Sequence, residues 1–271
     1  MQWPTLDRLS DISIAPRAVR PAALPALSSI PFVRDDADGK SLYFSLDELQ
    51  SRMDKRKPWL LEVDYTRTMM GFLMFRPAPA HIGMIGLGGG SLAKFCYRHL
   101  PASRITVAEI NPHIIALRCE FMIPDDDHRL TVLQCDGAAF VAEQADGLDA
   151  LLVDGFDEQG QPPALCSQAF YDDCARALGP DGVLAVNLHH DSPDYALCLA
   201  RLQRSFAGNV IEAAALEKSN CIVFASRTLL PSRQRLDLRT ALSGMDREAR
   251  KQLQPEFARM VWCMRSTSDE D

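Results

Sequence analysis

From Ile82 onward, short continuous apolar runs alternate with stretches in which apolar residues recur every three or four positions. The runs predict strands at Ile82–Gly86, Arg104–Ile110, Leu130–Cys135, Leu148–Asp154 and Gly182–Leu188. The intervening stretches predict helices at Ser91–Leu100, Pro112–Phe121, Ala138–Ala145, Ser167–Leu178 and Asp194–Phe206. Val210–Ala215 and Asn220–Ser226 fit two last strands. Uninterrupted apolar strands are expected where helices cover both faces of a parallel sheet, so this alternation reads as an α/β, doubly wound architecture.

The flanks read differently. Residues 1–40 carry Pro4, Pro16, Pro21, Pro25 and Pro31 and suggest an irregular arm. Ser41–Ser45 and Trp59–Asp64 fit a small β-hairpin around the basic Lys55–Pro58 turn, and Thr66–Phe75 a short apolar helix. After Arg227 the chain turns polar, with one helical stretch near Met245–Met260 and an acidic end at Ser268–Asp271. The expected units are therefore 1–40, 41–75 (hairpin and short helix), 76–227 (the Rossmann-like unit) and 228–271 (a helical appendage).

Composition narrows the function classes. Of 271 residues, 47% are hydrophobic and 24% charged, which excludes disorder over the whole length. A net charge of −7 is a poor match for nucleic acid, whose phosphates need clustered cations. No apolar run approaches the roughly 18 residues of a membrane helix, and the N-terminal apolar stretch is broken by Pro25 and Pro31. None of the eight cysteines forms a CxxC pair, so no metal site is indicated and a reducing cytoplasm is expected.

In an open parallel sheet, ligands sit beyond the carboxyl ends of the strands. Four strand ends carry candidate chemistry. The first is Gly86-Leu87-Gly88-Gly89-Gly90-Ser91, where glycines let the backbone approach a ligand and the following helix offers free N–H groups. The second is Glu109, whose carboxylate can accept both ribose hydroxyls of a nucleoside. The third is Asp136-Gly137, where Asp136 can accept from an adenine amino group or simply cap a helix. The fourth is Asp154-Gly155-Phe156-Asp157, two acids that can face one pocket or form a turn. A dinucleotide fits less well, because the turn is not G-x-G-x-x-G.

These residues resemble the spermidine synthase (polyamine aminopropyltransferase) family. The similarity runs from about Ser41 to Arg227 and is carried by Ile85–Ser91, Val107–Pro112, Asp136-Gly137, Asp149–Asp157, Phe170-Tyr171 and Gly182–Leu184. The resemblance implies a methyltransferase-type Rossmann-like fold. It also implies decarboxylated S-adenosylmethionine as co-substrate, a small-molecule amine as acceptor, and a homodimer joined through the hairpin. By resemblance, Gly86, Gly88, Gly89, Gly90 and Gly137 would cradle the nucleoside, Glu109 would hold its ribose and Asp136 its adenine. Asp154 would help deprotonate the amine and Asp157 would help hold it.

The chain departs from the family pattern in several places. Gly89 stands where the family has an acid that contacts the aminopropyl tail. Leu216–Asn220 lacks the tyrosine and proline of the family's amine gate, and Glu158 replaces a proline. The family's tyrosine-glutamine-glutamate segment is not visible, with Thr66–Met69 standing near its place. Two alternatives therefore stand beside aminopropyl transfer: a methyltransferase using intact S-adenosylmethionine, with Arg67 against its carboxylate, or a non-catalytic nucleoside-binding protein. His189-His190-Asp191 ends the fifth strand and can reach the pocket, where a histidine could act as a base.

Overall fold

The computed structural model describes residues 30–45, 49–157, 160–216, 219–230 and 236–266. Most of the expected N-terminal arm, Glu158, the centre of the Leu216–Asn220 stretch and the acidic end at Ser268–Asp271 lie outside them. The predicted alternation forms a seven-stranded sheet from β4 (His81–Ile85), β5 (Arg104–Glu109), β6 (Leu130–Gln134), β7 (Leu148–Val153), β8 (Leu178–His189), β9 (Val210–Ala214) and β10 (Asn220–Ser226). The strand order is β6-β5-β4-β7-β8-β10-β9. It reverses between β4 and β7, and that crevice is where ligands bind in such sheets.

The sheet is parallel from β6 to β8, as expected, but β10 runs antiparallel to both β8 and β9. The β9–β10 connection is too short for a crossover helix, so the chain can only turn back on itself. That reversal brings Asn220, the first residue of β10, opposite His189, the last of β8.

Alternate residues of each strand enter two separate cores. Ala150 and Leu152 of β7 face one side with Ile82, Met84 and Phe224, while Leu151 and Val153 face the other with Leu184 and Val223. The second face is covered by α4 (Gly137–Ala142), α5 (Gln168–Ala177) and α6 (Tyr195–Ser205). The first is covered by α1 (Asp64–Met69), α2 (Ser91–His99) and the C-terminal helix (Arg247–Ser266). Between these lie two short helices, α3 (Pro112–Ala116) and α7 (Leu238–Ala241), which makes the C-terminal helix α8. Met69, Met70, Phe72 and Leu73 are fully buried, so the Met69–Phe75 stretch is core.

Two expectations are corrected at the N-terminal side. The small sheet has three antiparallel strands, β1 (Phe32–Asp35), β2 (Gly39–Tyr43) and β3 (Leu49–Asp54), so part of the expected arm is regular structure. The second hairpin strand is Leu49–Asp54 rather than Trp59–Asp64. In Leu49–Asp54 the buried positions are Ser51 and Met53, with polar or charged residues between them, as suits a strand with one solvated face. Trp59–Val63 instead follows α8: Trp59 Nε1 donates to Glu248 and Leu61 N to Gln252 Oε1. The C-terminal helix likewise joins the main core, where Leu253, Phe257 and Met260 of α8 are buried.

One core residue opposes the fold. Lys94 on α2 is 4% exposed, and its Nζ donates to the Phe121 carbonyl at 2.8 Å. Burial lowers its ammonium to about 7. In the unfolded chain it titrates at about 10.4, so between those values only the unfolded state holds the proton. The penalty is full below the folded value and vanishes above the unfolded one. Lys94→Met is expected to raise stability by about 3 kcal/mol at pH 7, after loss of roughly 1 kcal/mol for the hydrogen bond. Denaturant melts at pH 7 and pH 10 check this. A gain that does not shrink at pH 10 would show that the lysine's charge is not the cause.

Candidate active site

The carboxyl ends of β4, β5, β7 and β8 open into a cavity of about 970 Å³. Its walls carry Gly86, Gly88 and Gly89, Glu109 to Asn111, Asp136 and Gly137, Asp154 to Asp157, Asn187 and His189. Gln50 and Ser51 of β3 and Tyr65 of α1 close it from the N-terminal side. The structure thus gathers the candidate glycines and strand-end acids into one space, but not Gly90, Arg67 or His190. Gly90 does not line the cavity; it is the left-handed residue at the N-terminus of α2.

The glycine turn is shaped by neighbouring backbone. Gly86 has φ +91°, and a Cβ there would lie 2.3 Å from the Asp154 carbonyl oxygen. Only glycine lets the end of β4 pass so close to the end of β7. Gly89 is constrained by space: a Cβ would lie 2.6 Å from Ser51 Oγ and 2.9 Å from Phe121. The acid of the family pattern would thus require Ser51 of β3 and the Phe121 ring to shift. Gly89→Asp is expected to lower folding stability by roughly 1–3 kcal/mol, the usual cost of overpacking. A denaturant melt of Gly89→Asp and of Gly89→Asp with Ser51→Gly tests it, the second substitution restoring part of the loss.

Glu109 is 7% exposed, and its carboxylate is held at both oxygens. Leu87 N donates to Oε2 and Asn111 N to Oε1, each at 2.8 Å. Burial raises its carboxyl above the usual range, and the backbone donors pull it back. The backbone of Ile110 and Gly88 adds to these donors, so the group is a fixed acceptor on the cavity wall. Asp136 caps α4 by accepting from Ala139 N at 2.8 Å through Oδ1. Both expected readings of Asp136 are compatible with this geometry, because it caps the helix and also lines the cavity.

Asp154 lies at the centre of a polar chain. Tyr65 Oη donates to its Oδ2 and Asn187 Nδ2 to its Oδ1, both at 2.9 Å. Burial raises its carboxyl, opposed by those two donors and, when the His189 imidazole is protonated, by its charge. The same buried contact drives the Tyr65 phenol well above its ordinary value. Asp157 is exposed at the rim, in a tight turn where its N–H donates to the Gly160 carbonyl. The Asp149 end of the resembling segment is far from the site: it accepts from Ala80 N and His81 N at the opposite end of the sheet.

Sequence reading missed Tyr65, Asn187 and Asn220. Tyr65 sits one residue before the predicted helix Thr66–Phe75, where a single aromatic carries no periodic signal. Asn187 falls inside an apolar run, and a lone polar residue at the carboxyl end of a buried strand was the available clue. Arg67 does not reach the cavity; its guanidinium donates to the Leu61 carbonyl. Among the described lining residues there is no lysine or arginine. Among the described residues no cluster of three or more potential metal ligands occurs, and no helix is long and apolar enough to cross a membrane.

Strand order, glycine turn and strand-end acids together define an α/β protein of the methyltransferase-type fold with an acid-lined crevice at its switch point. Within that class, residues 62–205 match the spermine/spermidine synthase domain, and the chain belongs to that family of transferases. It is 38% identical over 206 residues to a polyamine aminopropyltransferase of Chromobacterium violaceum, covering 75% of this chain and 79% of that protein. It is 36% identical over 217 residues to a polyamine aminopropyltransferase of Neisseria meningitidis, covering 79% and 82%. A probable spermidine synthase structure from Corynebacterium glutamicum shares the fold, with a TM-score of 0.67 and 21% identity over 82% of this chain and 89% of that one.

Proposed function

We propose that the protein transfers an aminopropyl group from decarboxylated S-adenosylmethionine to a small aliphatic amine. The observation that carries this reading is the pairing of a fixed acceptor, Glu109, with a half-buried, two-donor carboxylate, Asp154, on the walls of one cavity. Glu109 would hold the ribose hydroxyls and Asp136 the adenine amino group. Gly86, Gly88, Gly89 and Gly137 would let the backbone lie against the nucleoside. Asp157 at the rim would hold the far end of the amine.

The chemistry asks for little else. An aliphatic ammonium loses its proton near pH 10, as lysine does, and must lose it to attack carbon. Asp154 has one lone pair on each oxygen engaged by Tyr65 and Asn187, which leaves the carboxylate aimed and able to accept. Its raised pKa makes it a better acceptor than an ordinary carboxylate. As the amine nitrogen bonds to the propyl carbon, the carbon–sulfur bond breaks and its electron pair returns to sulfur. The sulfonium becomes a neutral thioether, methylthioadenosine, so no acid is needed at the leaving group. Alignment of the two reactants removes much of the remaining barrier.

Intact S-adenosylmethionine adds one carboxylate. Among the described lining residues no Lys or Arg would meet it, and the candidate partner Arg67 is turned to Leu61. That supports the decarboxylated form over methyl transfer. Calorimetry with both forms side by side, followed by release of methylthioadenosine with 1,4-diaminobutane, tests the reading. Tighter binding of the intact form, or no methylthioadenosine with any of several amines, would overturn it.

A further inference from the structure

The hydrogen bonds around Asp154 extend beyond it in a fixed direction. Asn187 and His189, two apart on β8, both face the cavity, and Asn220 lies directly across from His189 on β10. Asn220 Nδ2 is 3.0 Å from Asn187 Oδ1 and 3.0 Å from His189 Nε2. An ionised carboxylate only accepts, so Asn187 must turn its amide nitrogen to Asp154. Its oxygen then faces Asn220, which must answer with its own amide nitrogen. The second hydrogen of that nitrogen reaches His189 Nε2, which has to be the bare, accepting nitrogen. The Phe156 ring holds the imidazole in place, with centroids 4.6 Å apart.

We propose that His189 is a positioning residue for Asp154, acting through Asn220 and Asn187. This rests on the reading of Asp154 as the proton acceptor. The bare Nε2 holds both amides in the one orientation that offers donors to an ionised Asp154. A proton on Nε2 reverses the chain: Asn220 must present its oxygen to His189 and Asn187 its oxygen to Asp154. Two oxygens can face each other there only if Asp154 is protonated. The hydrogen-bond chain therefore couples the two proton uptakes across three hydrogen bonds, against the direct attraction of the imidazolium, which favours the ionised carboxylate. The other titratable groups sharing these walls are Tyr65 of α1, Glu109 of β5, Asp136 before α4, Asp157 after β7 and Asp191 after β8. They stay in place in the variants below, so their fields are common to every comparison.

The test is the pH profile of kcat, read as methylthioadenosine release from decarboxylated S-adenosylmethionine and 1,4-diaminobutane. In His189→Gln the side-chain oxygen can accept from Asn220 but cannot take a proton. That variant should keep kcat at pH 8 within about 3-fold, while its acid limb loses one unit of slope against the unsubstituted protein. His189→Phe removes the acceptor and frees the amides to turn. Its acid limb should move upward by about one pH unit and kcat at pH 8 should fall about 10-fold, with the nucleoside KM unchanged. Superimposable acid limbs in all three proteins would overturn the inference and leave His189 a packing residue. If His189→Phe does not fold, the slope in His189→Gln decides alone. Asp154→Asn separates the two levels. An active Asp154→Asn defeats the reading beneath, whereas an inactive one with unmoved His189 profiles defeats only this inference.

Discussion

Asp154→Asn is expected to lower kcat about 1,000-fold while leaving nucleoside affinity within a few-fold, the range typical of a lost general base. The substitution preserves shape and most of the packing. It removes the group that can take the ammonium proton, and it sets an amide against the donors of Tyr65 and Asn187, which lie 2.9 Å away. One of them then faces another N–H, a buried mismatch that costs roughly 1–3 kcal/mol unless it rotates away. Stability should therefore move less than rate. In the unsubstituted protein the sign of the pH dependence follows from the raised carboxyl. Activity is present above its folded pKa and is lost as pH falls through it, at a higher pH than an exposed aspartate would give. Single-turnover measurements across pH 5–9, with calorimetric Kd for decarboxylated S-adenosylmethionine alongside, check both parts. A large loss of affinity with little change in the chemical step would place Asp154 in binding instead.

Tyr65→Phe separates orientation from proton transfer. It keeps the ring and deletes one donor to Asp154 Oδ2. A single hydrogen bond to a charged group is worth roughly 1.5–3 kcal/mol, so a fall in kcat of about 10-fold to 100-fold is expected. Loss of that donor also raises the Asp154 carboxyl further, so the acid limb should shift upward. An unchanged limb with an unchanged rate would remove Tyr65 from the site.

How much of this could be read from the chain differs between the two halves of the site. The cavity walls made by the glycine turn and the strand-end acids were legible because they depend on local features. A glycine turn between a strand and a helix, and acids at or just past a strand end, show their geometry in a few adjacent letters. Gly86, Glu109, Asp136 and Asp154 all line the cavity for that reason. The polar chain behind Asp154 depends on chain reversal. Asn220 reaches Asn187 only because β10 runs antiparallel to β8, and no local signal at Asn220 announces that direction. The small sheet was misread for a related reason. Apolar Trp59–Asp64 looked more strand-like than Leu49–Asp54, yet Trp59 and Leu61 are used by α8, which lies almost 190 residues further along the chain. Tertiary partners, not propensity, decide such segments. Gly89 shows the reverse case, a visible departure from a family pattern whose cause, Ser51 Oγ beside it, only the packing reveals.

Glu109→Ala carries the second large expected effect, a loss of nucleoside affinity of about 1,000-fold. A carboxylate that accepts from two ribose hydroxyls makes two charge-assisted hydrogen bonds, each worth roughly 1.5–3 kcal/mol. The protein has arranged for little of that to be lost on binding. Leu87 N and Asn111 N fix both oxygens before any ligand arrives, so no side-chain freedom remains to be surrendered. The same arrangement predicts that Glu109→Gln is a poor rescue. A glutamine presents an oxygen to only one of the two backbone donors and sets its NH2 against the other, so it turns away or leaves a buried N–H unsatisfied. Affinity in Glu109→Gln should therefore stay within about 10-fold of Glu109→Ala rather than near the unsubstituted protein, because a misplaced amide cannot accept at both points. Calorimetry with methylthioadenosine, which keeps the ribose and lacks the aminopropyl tail, isolates the contribution. Equal binding by all three proteins would mean that the ribose lies elsewhere in the cavity and that the carboxylate serves only to tie the ends of β4 and β5 together.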